Sequence, residues 1–179
     1  MIQFTSKIIL ENSLQMLHLV NGLLDLSKIQ EGSLDLSQSD FDINDMVESV
    51  RALHQARADE LKISLNVYLA PQLPSQLRAD PYRVRQVLNN LVDNAIKFTH
   101  QGSVTVRMMA RGEHMRFEVQ DSGRGIPRER QAHIFRRFEH ADVQTNRAYG
   151  GTGLGLTLCE KLVTLHGGQI GVDSQEGRG

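Results

Sequence analysis

The sequence predicts an α+β sandwich: a mixed sheet with helices on one face, preceded by one long amphipathic helix. Three observations carry this. Apolar residues recur at helical spacing from residue 1 to about 31. Strictly alternating segments interleave with helical ones after that. Several strand pairs read as hairpins, which a doubly wound parallel sheet would not contain. The composition agrees: 40% hydrophobic and 23% charged residues are globular proportions, not those of a disordered chain. The net charge of −1 argues against retention on nucleic acid by bulk charge. The single cysteine, Cys159, excludes an internal disulfide and fits a reducing compartment. No apolar run is long enough to span a bilayer, and no signal-peptide pattern opens the chain.

The first helix is written by Leu10, Leu14, Leu17 and Leu24, with Lys28 and Asn21 in the same stripe and Ile9, Met16, Val20 and Leu23 widening it. Gly32 stands where a C-cap glycine belongs. A stripe this wide suits one half of a helical hairpin whose partner helix is missing, although packing on its own domain explains the same pattern. Leu34, Leu36 and Phe41 mark a short extended segment. Asp42 or Asn44 caps a helix to about Leu61, with Met46, Val47, Val50, Leu53 and Ala58 as its apolar side. Ile63, Leu65, Val67 and Leu69 alternate as a half-buried strand does, and Pro71 and Pro74 end it. Residues 33–80 thus read as strand, helix, strand, loop.

Pro81 suits a first helical turn, and Val84, Val87, Leu88, Leu91, Val92 and Ala95 give that helix a buried face. Val104 and Val106, then Met115, Phe117 and Val119, form two strands around the Arg111-Gly112-Glu113 turn. A Gly- and Arg-rich segment covers 121–155. A helix from about Gly153 to His166 follows, and Gly167-Gly168 leads into a strand at Gln169–Asp173.

Three segments carry chemistry. On the Pro81 helix, Asn90 and Asn94 share a face, Asp93 and Lys97 share another, and the two faces adjoin. Neutral oxygen donors beside a lysine suit a hydrated Mg²⁺ bridging phosphates; a solvated helix edge explains the same residues. Asp121-Ser122-Gly123-Arg124-Gly125-Ile126-Pro127 follows a strand, so its carboxylate can accept a hydrogen bond from an exocyclic amine while the glycines admit a ligand. An ordinary glycine turn accounts for it equally well. Gly150-Gly151-Thr152-Gly153-Leu154-Gly155-Leu156 opens a helix, whose N-terminal amides favour anions. It is neither a Walker A loop nor a dinucleotide fingerprint, because no Lys-Ser or Lys-Thr follows and no strand directly precedes it.

Taken in order, these segments resemble the catalytic domain of sensor histidine kinases, most closely the hybrid type. Asn90-Leu91-Val92-Asp93-Asn94-Ala95-Ile96-Lys97-Phe98 looks like the N box. Asp121-Ser122-Gly123-Arg124-Gly125-Ile126 is similar to the first glycine box, Ile134-Phe135-Arg136-Arg137-Phe138 to the F box, and Gly151-Thr152-Gly153-Leu154-Gly155-Leu156 to the second glycine box. Leu23 to Gly32 looks like the end of the second dimerisation helix.

The resemblance implies the Bergerat ATP-binding fold over residues 33–179, with residues 1–32 as part of a dimerisation hairpin. It implies ATP and Mg²⁺ as cofactors. Asn94 would hold the metal with Asn90 assisting, Lys97 would meet phosphate, and these three would carry the catalysis. Asp121 would accept the adenine amino group in a base pocket shaped by Gly123, Gly125 and Ile126. The segment Gly151, Thr152, Gly153, Leu154 and Gly155 would take the phosphates on its backbone. Residues about 139–150 would form a mobile lid carrying Arg147 and anchored by Phe135 and Phe138.

The implied reaction passes the ATP γ-phosphoryl group to a histidine on the missing first dimerisation helix. The family's His-Glu-x-x-Thr-Pro setting does not occur here, and His18 lacks that context, so the chain alone is expected not to phosphorylate itself. The family also continues into a further strand beyond Gly177-Arg178-Gly179. Implied partners are the missing helix, a second copy in a homodimer, and a response regulator or receiver domain, with no nucleic acid and no membrane contact by this segment. The implied location is the cytoplasm, with the parent protein open to anchorage in the inner membrane. The alternative is a non-catalytic interaction module that pairs with another kinase and tunes it. A stand-alone ATPase is disfavoured because the gyrase-like relatives carry a water-activating Glu where Asn90 stands, and an amide is no general base.

Overall fold

The computed structural model describes residues 2–136 and 153–179. Helix α1 (Ile2–Gln30) comes first. It ends where Gly32 adopts φ +67° and the Ser33 amide turns back to the Lys28 carbonyl at 2.9 Å, a closure glycine permits without strain. Strand β1 (Ser39–Asp42) leads directly into α2 (Ile43–Glu60). Asp42 Oδ1 accepts the Asn44 and Asp45 amides and so caps α2. Strand β2 (Ile63–Leu69), β3 (Gln76–Ala79) and helix α3 (Pro81–Phe98) follow. Strands β4 (Gly102–Arg111) and β5 (His114–Asp121), the single turn α4 (Arg128–Gln131) and α5 (Gly155–Leu165) complete the elements among the described residues.

The main sheet has the order β2-β4-β5 and is mixed. β2 runs parallel to β4, from Ile63 opposite Gly102 to Leu69 opposite Met108. β4 and β5 form the expected antiparallel hairpin, from Val104 opposite Asp121 to Arg111 opposite His114. A separate two-stranded sheet joins β1 and β3. Helices α2 and α3 pack on the main sheet. Met46, Val47 and Val50 from α2 meet Leu88, Val92 and Ile96 from α3 and Val104, Val106 and Met108 from β4 in one buried cluster. Burial of such side chains, roughly 1.5–3 kcal/mol each, drives the association of the layers.

A second cluster seats α1. Leu26 is buried against Leu154, Leu158 and Leu162, with Leu19, Ile29 and Val87 at its edge. The side of α1 that faces the body is therefore the row of Leu19, Gly22, Leu26 and Ile29. The stripe read from the sequence lies elsewhere: Met16, Leu17, Val20, Leu23 and Leu24 are all exposed. At the junction, Asp80 Oδ1 caps α3 by accepting the Arg83 amide, and Asp80 Oδ2 accepts the amide of Ser37.

Four other details depart from the sequence expectation. The extended segment contains Phe41 but neither Leu34 nor Leu36. Strand β3 was expected as loop; it exists because β1 offers its edge. Leu53 is 62% exposed, and His54 takes its place on the buried side of α2. Residues Gln169–Asp173 form no strand among the described residues. Alternation of Ile170 and Val172 defines two faces, but a strand also needs a neighbour to complete its ladder of backbone bonds.

Candidate nucleotide site

Helix α3 is the wall on which the three segments meet. At its middle, Asn90 faces the start of α5: a Cβ placed on Gly155 would lie 2.7 Å from Asn90 Oδ1. Only a glycine lets the α5 N-terminus come this close to the amide. Helix α5 opens there with no side-chain hydrogen bond capping it. Gly153 just before it has φ +63°, which turns the chain into the helix. The Thr157 hydroxyl in that first turn is buried and has no partner among the described residues.

At the C-terminal end of α3, the loop after β5 closes against the same helix. The Arg124 amide donates to the Phe98 carbonyl at 3.4 Å, and the Arg124 guanidinium lies 5.0 Å from the centroid of the Phe98 ring. A Cβ on Gly123 would meet the Phe98 carbonyl at 2.5 Å, so the glycine is required by close packing. Asp121 Oδ1 accepts the Gly123 amide at 2.9 Å. This local turn orients the carboxylate. Its second oxygen makes no hydrogen bond among the described residues and is available to a donor from a ligand.

Residues 174–179 brace this loop, which the sequence reading did not anticipate. The Ile126 amide donates to Ser174 Oγ at 2.9 Å, and the Gly177 amide donates to the Arg124 carbonyl at 2.7 Å. Gln131 Nε2 donates to both the Ile126 and Ser174 carbonyls. Gly125 has φ +68°, and a side chain there would run into the Gln175 carbonyl.

Lys97 lies over the Phe98 ring, 5.1 Å from its centroid. Burial pushes its ammonium pKa below the usual lysine range, the Asp93 carboxylate pulls it back up, and Arg57 adds to the fall. Arg57 of α2 forms an ion pair with Asp93 at 2.6 Å. His54, also on α2, meets Asn89 Oδ1 at 3.3 Å, and burial holds its pKa below the ordinary histidine value. Nothing local in the sequence marked these two α2 residues, because their partners lie on another helix. The Cys159 thiol is fully buried and pushed up to about 12, chiefly by burial, while a hydrogen bond with the Asn90 side chain opposes the rise.

The structure thus brings Asn90, Asn94, Lys97, Asp121, Gly123, Gly125, Ile126, Gly153, Leu154 and Gly155 along one helix and the two loops that abut it. Phe135 is half-buried in the turn that follows α4. Phe138, Arg147, Gly151 and Thr152, together with the expected lid over about 139–150, lie outside the described residues. Among the described residues, no group of three or more His, Cys, Asp or Glu side chains could hold a metal ion. No helix among them is long and apolar enough to cross a membrane.

Known proteins are similar to this chain in sequence and in fold. The circadian input-output histidine kinase CikA of Synechococcus elongatus is 40% identical over 176 residues, covering 97% of this chain and 23% of CikA. The crystal structure of full-length ShkA in complex with AMPPNP superposes with a TM-score of 0.81 at 34% identity, covering 92% of this chain and 34% of ShkA. The histidine kinase ThkA in complex with the response regulator protein TrrA gives a TM-score of 0.70 at 27% identity, covering 95% of this chain and 47% of that one. The chain therefore spans about a quarter of the length of CikA and a third of ShkA. The mixed sheet with its covering helices is the ATP-binding fold of the histidine kinase structures. Residues 79–179, more than half of the chain, match the family of histidine kinase-, DNA gyrase B- and HSP90-like ATPases, and the chain belongs to that family.

Proposed function

We propose that this chain is the ATP-binding catalytic part of a sensor histidine kinase, passing the γ-phosphoryl group of ATP to a histidine on a dimerisation helix. The observation that carries the reading is the convergence on α3: Asn90 against the start of α5 at its middle, the Asp121 loop against Phe98 at its C-terminal end. An adenine donating its amino group to Asp121 would direct its phosphates along α3 toward Asn94, Lys97 and the α5 amides. Backbone donors and a lysine suit phosphoryl transfer, in which positioning and charge stabilisation dominate. ShkA, crystallised with AMPPNP, an ATP analogue, supports the ligand class.

Mg²⁺ fits the residues present. Asn90 and Asn94 are hard, neutral oxygen donors one turn apart, and no acidic cluster competes for the ion among the described residues. An ion held by Asn94, with Asn90 beside it, would take the rest of its shell from phosphate and water. When bound, it would neutralise charge on the phosphates. The chain's own residues then fix the geometry: Lys97 draws the phosphates, Gly123, Gly125 and Ile126 shape the base pocket, and Gly153 to Gly155 supply amides. Phe135, Phe138, Arg147, Gly151 and Thr152 complete the set we assign to nucleotide.

Residues 1–32 serve as part of a dimerisation hairpin and residues 33–179 as the catalytic domain. The exposed row of Met16, Leu17, Val20, Leu23 and Leu24 supports a missing helix and a homodimer. The ThkA complex with TrrA supports a response regulator as partner, and the cytoplasm is the location we propose. Calorimetric titration with ATP, with and without Mg²⁺, tests the reading. Binding is expected, and Asp121→Asn is expected to weaken it by one to two decades, roughly 1.5–3 kcal/mol for a hydrogen bond to a charged acceptor. Failure of the unaltered chain to bind ATP in either condition refutes the proposal.

A further inference from the structure

We propose that Arg57, on α2, is a positioning residue for the phosphate-binding edge of α3: its ion pair with Asp93 keeps that carboxylate from opposing a polyphosphate at Asn94 and Lys97. The inference rests on the nucleotide reading above and extends it to a helix that no site motif includes.

Successive residues on a helix turn by about 100°, so Asn89, Asp93 and Lys97 fall in one row and Asn90 and Asn94 in the row beside it. Helix α2 lies against the first row. His54 Nε2 meets Asn89 Oδ1 at 3.3 Å, and one turn further on Arg57 Nη1 donates to Asp93 Oδ1 at 2.6 Å. Asp93 is thus a fixed negative charge next to Asn94 and one turn before Lys97. Left uncompensated, a carboxylate there would repel phosphate oxygens and draw the Lys97 ammonium along the helix, the attraction expected of residues four apart. Arg57 cancels that charge from the side away from Asn90 and Asn94. The Lys97 ammonium responds to both groups, in opposite senses, so the three charges are within electrostatic reach of one another. Arg57 needs no contact with nucleotide for this. It acts through Asp93.

Binding of ATP and of adenosine in the presence of EDTA separates this role from a merely structural one. ATP is titrated by calorimetry and adenosine by NMR shift changes, which read weak binding. With the pair about half exposed, Arg57→Ala is expected to weaken ATP binding about two- to fivefold and to leave adenosine unchanged. Arg57→Lys should retain ATP binding. Asp93→Asn should not weaken it, and Arg57→Ala combined with Asp93→Asn should return it to the starting value, because no carboxylate is left to neutralise. The inference is overturned if the double variant stays as weak as Arg57→Ala, if ATP and adenosine weaken together, or if Arg57→Ala binds ATP as the unaltered chain does. Absence of ATP binding by the unaltered chain would instead remove the reading on which the inference rests.

Discussion

Replacing Asp25 measures how firmly α1 is seated on the nucleotide-binding body. Arg83 Nη1 on α3 lies 2.6 Å from Asp25 Oδ2, and the two side chains are only 15% and 14% exposed. Gln86 closes the triangle: its Nε2 donates to the same carboxylate oxygen at 3.0 Å, and its Oε1 accepts from Arg83 at 2.8 Å. Asp25→Asn keeps the shape and removes the charge. At an effective dielectric constant of about 20, unit charges 3–4 Å apart attract by about 4–6 kcal/mol. Desolvation of two mostly buried ions offsets more than half of this. The remainder, about 2 kcal/mol, matches the usual worth of a hydrogen bond between charged groups. A double-mutant cycle with Asp25→Asn and Arg83→Gln should therefore return a coupling of about 2 kcal/mol, roughly thirtyfold in the equilibrium constant. Urea unfolding followed by circular dichroism reads it, since α1 contributes 29 helical residues to the signal. If α1 melts separately, the cycle is read from that first transition. A coupling below about 0.5 kcal/mol, ordinary for an exposed pair, would show that the pair does not hold α1 to the body.

Three further outcomes follow from burial and backbone geometry. Leu26→Ala should destabilise by about 2–4 kcal/mol in the same melts, because its side chain fills the space between Leu154, Leu158 and Leu162; a loss under about 1 kcal/mol would mean α1 is not docked there. Cys159 should resist a thiol reagent such as DTNB at pH 8 in the folded chain and react after denaturation, because burial raises its pKa to about 12 and the thiolate is the reactive form; rapid labelling of native protein contradicts this. His54 has a folded pKa below its unfolded value near 6.5, so its contribution to stability is complete above pH 6.5 and declines as pH falls from there through the lowered folded value; His54→Gln should flatten that slope, and an unchanged acid slope counts against a buried neutral imidazole.

How much of this was legible in the sequence depends on whether the cause is local. The cap at Asp42, the β4–β5 hairpin and the glycine stop after α1 follow from residue type and spacing, and the structure has them. Strand β3 was missed because Gln76-Leu77-Arg78-Ala79 has one large apolar side chain and becomes a strand through β1. The apolar side read from the sequence includes Leu53, yet the buried row of α2 runs through Val47, Val50, His54 and Ala58. The seating of α1 was hidden for a related reason. Its body-facing row contains Gly22 and Asp25, which carry no hydrophobic signal, while the conspicuous leucines point elsewhere.

Helix α3 shows why a candidate site is easier to read in the sequence than the contacts that hold its helix. Leu88, Val92, Ala95 and Ile96 face the core. Asn89 and Asp93 face α2, and Asn90 faces the start of α5. An 18-residue helix with a function on every side leaves few positions unconstrained, so its sequence reads as a dense motif. The partners of those faces, Arg57, Gly123 and Gly155 among them, are scattered over about a hundred residues, roughly the span of a whole domain. Each constrains one position, so no stretch around it acquires a pattern. A motif is therefore visible where one element serves several neighbours, and the neighbours become visible only when the chain is folded.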